Sequence, residues 1–375
     1  MKEYREFESM RKNNLDIFPE EDDPNRVKIT SPLGPMLSFR YMNKVDSCNV
    51  PHFQLRHLLC CPTVRSVIFP RNIVHYKIID LNYFLDFMRI KSWNPISNQS
   101  EVILNTSEFG TAFSKTSVIS ATESQLFVGG INFLISVIFY NLGFSGEIII
   151  KNLDKEDSPA TLKNYSTDPN CITNHISPIK KDSKLLISCN DASLRTMDLN
   201  TGKIKSVARF PYAVNASEAD NDGNMIACVG DSRKVRILDI RSNVEVAAIK
   251  GHLDHCFSAS WSPCGRYLAS GSQDRSARIF DIRKLDKSLH TLVGNMAPVR
   301  SVKFSPCGSL FTMMEADDFV HVFSVNSGFR ESQVIDFFGE ISGIAFDPNG
   351  NNFYIGCAGN ENGGIFEFNN PFFLD

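Results

Sequence analysis

Few stretches of this chain carry residue types at spacings that could do chemistry. His252, Ser270 and Asp274 place an imidazole, a hydroxyl and a carboxylate inside one short segment. Asp317-Asp318 offers paired carboxylates, a type that can hold a cation or share acid–base work. The ten cysteines, Cys48, Cys60, Cys61, Cys171, Cys189, Cys228, Cys256, Cys264, Cys307 and Cys357, include no Cys-x-x-Cys pair, so no metal site is expected of them. Gly-x-x-x-x-Gly-Lys, His-Glu-x-x-His and Gly-x-Ser-x-Gly are absent, and Asn200-Thr-Gly-Lys lacks the glycine run of a phosphate loop. Neither an enzyme nor a cofactor is indicated. Lys180-Lys181, Lys203 and Lys205 could line a basic edge, though a solvated rim accounts for them as well. With 39 Lys and Arg against 42 Asp and Glu, no general field draws the chain toward nucleic acid or an anionic membrane, and neither is an expected partner.

The elements that must position His252, Ser270 and Asp274 are short and β-prone. Ser262-Pro263-Cys264-Gly265 is a turn, since Pro pre-sets φ and Gly accepts the positive φ that follows. Tyr267-Leu-Ala-Ser-Gly and Ala277-Arg-Ile-Phe read as the strands on either side of Gln273-Asp274. The unit repeats. Counting from Phe280, matching apolar residues occur at Met197, Leu238, Phe323 and Phe366, at intervals of 41, 42, 43 and 43 residues. Turns beginning at Asp220, Ser262, Ser305 and Asp347 follow the same period, at intervals of 42, 43 and 42. An Asp stands six residues before the apolar marker in three units, as Asp191, Asp274 and Asp317.

The segment from Gly251-His252 to Phe280-Asp281 closely resembles one WD repeat, and the period is that of the WD-repeat β-propellers. The resemblance implies an all-β fold whose His252, Ser270 and Asp274 form a buried structural network, with Asp191 and Asp317 in equivalent places. Phe280 replaces the usual Trp and has no indole N–H to extend that network. From about residue 50 onward the chain also resembles a narrower group of WD-repeat proteins from fungi and plants. Gly251-His-Leu-Asp, Ala269-Ser-Gly-Ser-Gln-Asp-Arg, Asp318-Phe-Val-His-Val, Asp336-Phe-Phe-Gly-Glu-Ile-Ser-Gly and Gly363-Gly-Ile-Phe-Glu-Phe-Asn-Asn carry that likeness. The group shares no activity that transfers.

The expected architecture is a single β-propeller over residues 26–375 behind a charged, mobile tail at 1–25. The period is clear from about residue 177, and weaker markers at Ile150 and Ile79 make seven four-stranded blades, with six or eight as alternatives. A β-prone stretch at 28–42 is expected to complete the last blade and so remove an exposed edge. Residues 124–145 hold no charge but contain several Gly and Asn, so they read as an interrupted strand rather than a membrane span. Removing about 131–143 leaves an ordinary strand–turn–strand, which marks those residues as an apolar insert or as a retained intron in the gene. No secretory leader opens the chain, so a reducing compartment, cytoplasmic or nuclear, is expected, with the cysteines free.

A propeller gathers the loops of all its blades on one face, and the expected function is a non-catalytic scaffold for protein or peptide partners, monomeric within a larger complex. By the period, the loop residues preceding each innermost strand are Tyr212, His255, Phe257, Pro298, Arg300 and Phe338, rich in the types that dominate binding hot spots. Core packing is an equal reading for Phe257 and Phe338. The alternative function is a substrate receptor of a cullin–RING ubiquitin ligase. Leu238-Asp-Ile-Arg241 and Phe280-Asp281-Ile-Arg283 resemble the Asp-x-Arg boxes by which some WD-repeat proteins dock the ligase's adaptor.

Overall fold

A computed structural model describes residues 23–371 apart from 33, 45–55, 79–82, 107, 110–114, 132–144, 156–157, 167, 169–170, 180 and 359–362. The described strands pair antiparallel in five four-stranded sheets and one seven-stranded sheet. The seven-stranded sheet is two blades joined by one long strand, Ser332–Phe346. Its first part pairs with Asp317–Ser324, its last with Asn352–Cys357. The strands therefore group into seven blades of four, numbered here from one to seven in chain order. Blade one begins at Cys60–Thr63 and blade five at Cys256–Trp261, and blade seven is completed by the N-terminal strand Ser38–Asn43 lying antiparallel on Gly364–Asn369. That strand covers the edge of Gly364–Asn369. Before it, Arg26 and Thr30 bridge to Thr291 and Glu331 at the rims of blades five and six.

The burial pattern follows from blades stacked face to face. A middle strand is covered on both sides, so Tyr267–Ser272 is buried at every position after the first, whereas the outermost Val244–Ile249 is mostly exposed. Among the described residues, seven apolar clusters lie one in each seam. Leu268 and Phe280 meet Ala227 and Ile237 between blades four and five, and Leu59, Phe69 and Trp93 meet Ala345 and Tyr354 between blades one and seven. The last seam closes the ring. There, a Cβ on Gly343 would come within 2.9 Å of the Leu59 nitrogen, so only glycine lets the two innermost strands approach so closely.

The turn ladder has a local cause. Gly223, Gly265, Gly308 and Gly350, each three residues after Asp220, Ser262, Ser305 and Asp347, all have φ between +69° and +78°. The side chains of Asp220, Ser262 and Ser305 accept from backbone N–H groups four or five residues on, which locks each turn.

Three markers need correction. In blade seven the residue opposite Phe353, as Phe280 is opposite Leu268, is Phe368, two residues beyond Phe366. In blade two the register gives Lys151 opposite Leu126, and Ile150 pairs instead with Phe127 on the other face. Ile79 lies outside the described residues, and the marker of blade one is Trp93, opposite Val67. Trp93-Asn94 is followed by the same turn as the other blades: Asn94 Oδ1 accepts from Ile96 and Ser97, as Asp239 Oδ1 does from Arg241 and Ser242. Sequence spacing hid it because the two middle strands of blade one, Ser66–Ile78 and Tyr83–Asn94, are roughly twice the length of their counterparts. The tail also ends earlier than residue 25. Asp23 accepts from Thr291 and pairs with the buried Arg278, while residues 1–22 and most of the insert lie outside the described residues.

Candidate interaction surface and central channel

The upper face is the one bearing the turns between the two middle strands, and its loops are tied down by buried carboxylates. In blade five, His252 Nδ1 lies 3.0 Å from Asp274 Oδ2, and His252 Nε2 lies 2.7 Å from Ser270 Oγ. Asp274 also accepts from the Leu253 and Ser276 backbone N–H groups and from Ser276 Oγ. These bonds outweigh the cost of burial and hold its carboxyl down at about 2. Phe280 packs in the seam below and contributes no donor.

The equivalent positions solve the same problem differently. In blade three, Asp191 takes both ends of Arg195 and a bond from Ser166 Oγ, which ties the strand turn to the preceding blade. In blade six, Asp317 is exposed and Glu315, two residues earlier, does the work. Glu315 accepts from the Asn295, Met296 and Ala297 backbone N–H groups and from His321 Nε2, so one carboxylate satisfies an entire loop. The structural role assigned to Asp317 therefore belongs to Glu315. Asp317 and Asp318 do not converge on a site, since Asp318 Oδ1 caps the Gly339 N–H.

Of the residues singled out from the period as loop residues, Tyr212, His255 and Pro298 do precede innermost strands, whereas Phe257, Arg300 and Phe338 lie within strands, and those whose side chains are described are largely enclosed. Tyr212, His255, Phe257 and Arg300 are buried, Pro298 is half-buried, and nothing is described of the Phe338 side chain. The Arg300 guanidinium sits 4.0 Å over the Phe257 ring, Tyr212 accepts from Arg236, and His255 faces Asp231 at 3.4 Å. These contacts hold them against neighbouring side chains. A shared feature explains their placement. Six innermost strands carry a register shift at the same level, at Ser117, Asn174, Asn215, Phe257, Arg300 and Ser342. Such bulges re-aim a side chain, and here several reach around the ring: Asn174 donates to Val214, Asn215 to Cys256, and Ser117 to Thr173.

Below this level the channel is partly closed by His57. Its ring meets His175 of blade three edge-on at 4.5 Å between centroids, and it hydrogen-bonds the Phe257 backbone of blade five. Beneath lies a cavity of about 800 Å³ whose lining includes His57, His175 and Lys303 and whose mouth is formed by the lower turns. Burial and the nearby Lys303 push both imidazoles down, His175 to about 4. The sequence reading missed all three.

On the lower face, Arg241 and Arg283 are exposed. Arg283 folds back on Asp281 through two bonds of 2.9 and 2.7 Å. Among the described residues, Cys171, Cys189 and Asp191 bring possible ligand atoms within 4.8 Å of one another. Both Asp191 oxygens already accept from Arg195, so the cluster is an ion pair beside two thiols. The described cysteines are free. Among the described residues no helix is long and apolar enough to cross a membrane.

Comparison with known proteins agrees with this architecture. The family described as "WD domain, G-beta repeat" matches residues 243–281. An uncharacterised protein of Schizosaccharomyces pombe is 27% identical over 196 residues, covering 47% of this chain and 56% of that protein. The meiotic recombination protein rec14 of the same yeast is 25% identical over 191 residues, covering 49% of this chain and 62% of that protein. The chain thus spans little more than half the length of these relatives. A chain of the crystal structure of the mitotic checkpoint complex superposes with a TM-score of 0.67 at 16% identity, covering 90% of this chain and 97% of that chain, which is a likeness of fold. With its WD repeat at 243–281, its seam clusters and its closed ring of four-stranded sheets, the chain is a β-propeller of the WD-repeat type.

Proposed function

We propose that this propeller is a non-catalytic scaffold whose upper face holds a protein or peptide partner within an intracellular complex. The observation that carries the reading is the hairpin of blade one. Its strands, Ser66–Ile78 and Tyr83–Asn94, stay paired out to Ile78 and Tyr83, well beyond the six-residue middle strands of blade five. The hairpin thus extends above the level at which the middle strands of blade five turn. A paired ribbon projecting from a rigid ring offers two edges and two faces to a partner, which a flush turn does not.

The test is affinity purification of the tagged chain beside a variant in which residues 73–87 are replaced by a two-residue Asn-Gly turn joining Asn72 to Met88, a pair already in register. A melting curve checks that the variant folds. Loss of the main partner from the variant supports the reading, and an unchanged set of partners overturns it. The same experiment reads the alternative function. A cullin adaptor recovered with both proteins and lost on Arg283→Glu would make the lower face the docking site and the chain a ligase receptor.

A further inference from the structure

We propose that Cys171 and Cys189 are a redox-sensitive tie: under hydrogen peroxide they join in a disulfide that fastens the loop entering blade three to the turn between that blade's middle strands. Cys171 lies two residues ahead of the innermost strand Thr173–Ile179, and Cys189 ends the middle strand Lys184–Cys189. The two strands pair with Thr173 opposite Cys189, and just beyond them the Asn190 N–H donates to the Ile172 carbonyl. The two sulfurs come within 4.8 Å of each other. A disulfide is about 2.05 Å long, so the gap to close is less than about 3 Å, and rotation of the two side chains about χ1 can supply it.

Blades five and six make a tie of their own at the same place. Asp274 stands 83 residues after Asp191. The same step carries Cys171 to Asp254 and Cys189 to Ser272, where Ser272 Oγ donates to the Asp254 carbonyl at 3.2 Å. In blade six, 43 residues further on, the pair is Ala297 and Glu315, and the N–H of the first donates to the carboxylate of the second at 2.6 Å. Blade three has two thiols there, which are weak hydrogen-bonding groups but can form a covalent bond. Burial pushes the Cys60 and Cys228 thiols up to about 12, whereas the hydrogen bond from Cys189 holds Cys171 below its usual value, so Cys171 is the attacking sulfur. Its sulfur attacks one peroxide oxygen: the S–O bond forms, the O–O bond breaks, and the second oxygen leaves as water with the thiol's proton. Cys189 then attacks the sulfenic sulfur: the S–S bond forms, the S–O bond breaks, and a second water departs with the Cys189 proton. The thiol pair gives up two electrons and one peroxide takes them. Both sulfurs are buried, so the oxidant must be small. Peroxide is little larger than water, and Cys171 sits at the entrance to a strand, where local opening costs less than in a core.

The experiment treats the folded, reduced chain with a small molar excess of hydrogen peroxide, stops the reaction with catalase, unfolds the chain in N-ethylmaleimide and digests it with trypsin. Lys180, Lys181 and Lys184 lie between the two cysteines, so the disulfide joins two tryptic peptides, lighter by two hydrogens than their sum, and dithiothreitol separates them. That linked pair is the expected product. It should raise the melting temperature by roughly 3 °C or more, since a cross-link restrains the unfolded chain. Cys189→Ala should abolish both effects and leave Cys171 as a sulfenic acid that dimedone traps. Cys171→Ala is the second variant in case Cys189→Ala fails to fold, and it too should lose the linked pair and the shift. Recovery of both cysteines as thiols when the exposed Cys264 and Cys307 have been oxidised overturns the proposal. Linkage of either to another cysteine instead, or a disulfide that leaves the melting temperature unchanged, overturns it as well.

Discussion

His252 Nδ1 lies 3.0 Å from Asp274 Oδ2, and neither side chain has any exposure to water. Removing the carboxylate strands a ring N–H, two backbone N–H groups and the Ser276 hydroxyl in a dry site. Asp274→Ala should therefore cost about 3–5 kcal/mol, measured by urea unfolding. The pH dependence has a definite sign. The folded carboxyl ionises at about 2 instead of 3.8, so the folded state binds fewer protons between those values. Its contribution, about 2 kcal/mol, is present above pH 4 and is lost as pH falls through 2. Asp274→Asn should flatten the acid limb of the stability curve.

Glu315 and Asp317 separate position from function. If Glu315 holds the loop at residues 295–297, Glu315→Ala leaves three backbone N–H groups and His321 without their acceptor and destabilises the protein by about 3 kcal/mol or more. Asp317→Ala removes an exposed side chain and should fall within about 0.5 kcal/mol of the parent. Equal effects in the two variants would refute the exchange of roles.

What the sequence discloses depends on how local the cause is. The turns at Asp220, Ser262, Ser305 and Asp347 are legible because positive φ three residues later demands glycine, a constraint satisfied within five residues. Phe280 and Phe323 are legible because their strands keep a fixed length. Trp93 was hidden once its strand doubled, although it packs in its seam as Phe280 does. Glu315 was hidden because a longer side chain reaches the loop from two residues earlier. The enclosure of Phe257 and Arg300 was illegible for another reason: it depends on register shifts in neighbouring blades some 40 residues apart, which bring the two side chains together. His57, His175 and Lys303 meet only when the ring closes, and no pattern within one repeat announces them.

Glu147 supplies a prediction at neutral pH. It lies buried on Ser145–Asn152, and burial raises its carboxyl from 4.5 to about 7. The folded state therefore binds more protons than the unfolded chain between those values, and stability falls as pH rises across that window. Glu147→Gln removes the charge that must be buried at high pH. It should raise stability at pH 8 by up to about 3 kcal/mol and have little effect at pH 4. Thermal melts across pH 4–8 would show the two curves diverging upward in pH, and parallel curves would refute the assignment.

Gly343 tests closure of the ring. A methyl group there would press on the backbone of Leu58 and Leu59, at 3.2 and 2.9 Å. Backbone cannot yield as a flexible side chain can, so Gly343→Ala should force blades one and seven apart and cost about 2–4 kcal/mol. Gly265→Ala, at a turn with open space around it but a φ of +69°, should cost only the backbone term of about 1 kcal/mol. The difference between the two variants isolates the seam.

The insert at 131–143 yields to the strand register. In blades three, five and six, five residues separate the last paired residues of the middle strands, Ser188 and Leu194, Gly271 and Ala277, Met314 and Val320. In blade two the corresponding partners are Gly129 and Ile148. With residues 131–143 removed, five residues would separate them as well. The same thirteen residues account for the interval of 58 between Trp93 and Lys151, which becomes 45, the interval from Phe323 to Phe368. A chain lacking 131–143 should therefore fold with a melting temperature within about 3 °C of the parent, since the loss shortens a turn and leaves every described pair of that hairpin except Lys115–Ile131 in place. Sequencing the mature transcript decides the origin. A message without these thirteen codons identifies a retained intron, and a continuous coding message makes the segment a true insert between the two middle strands of blade two.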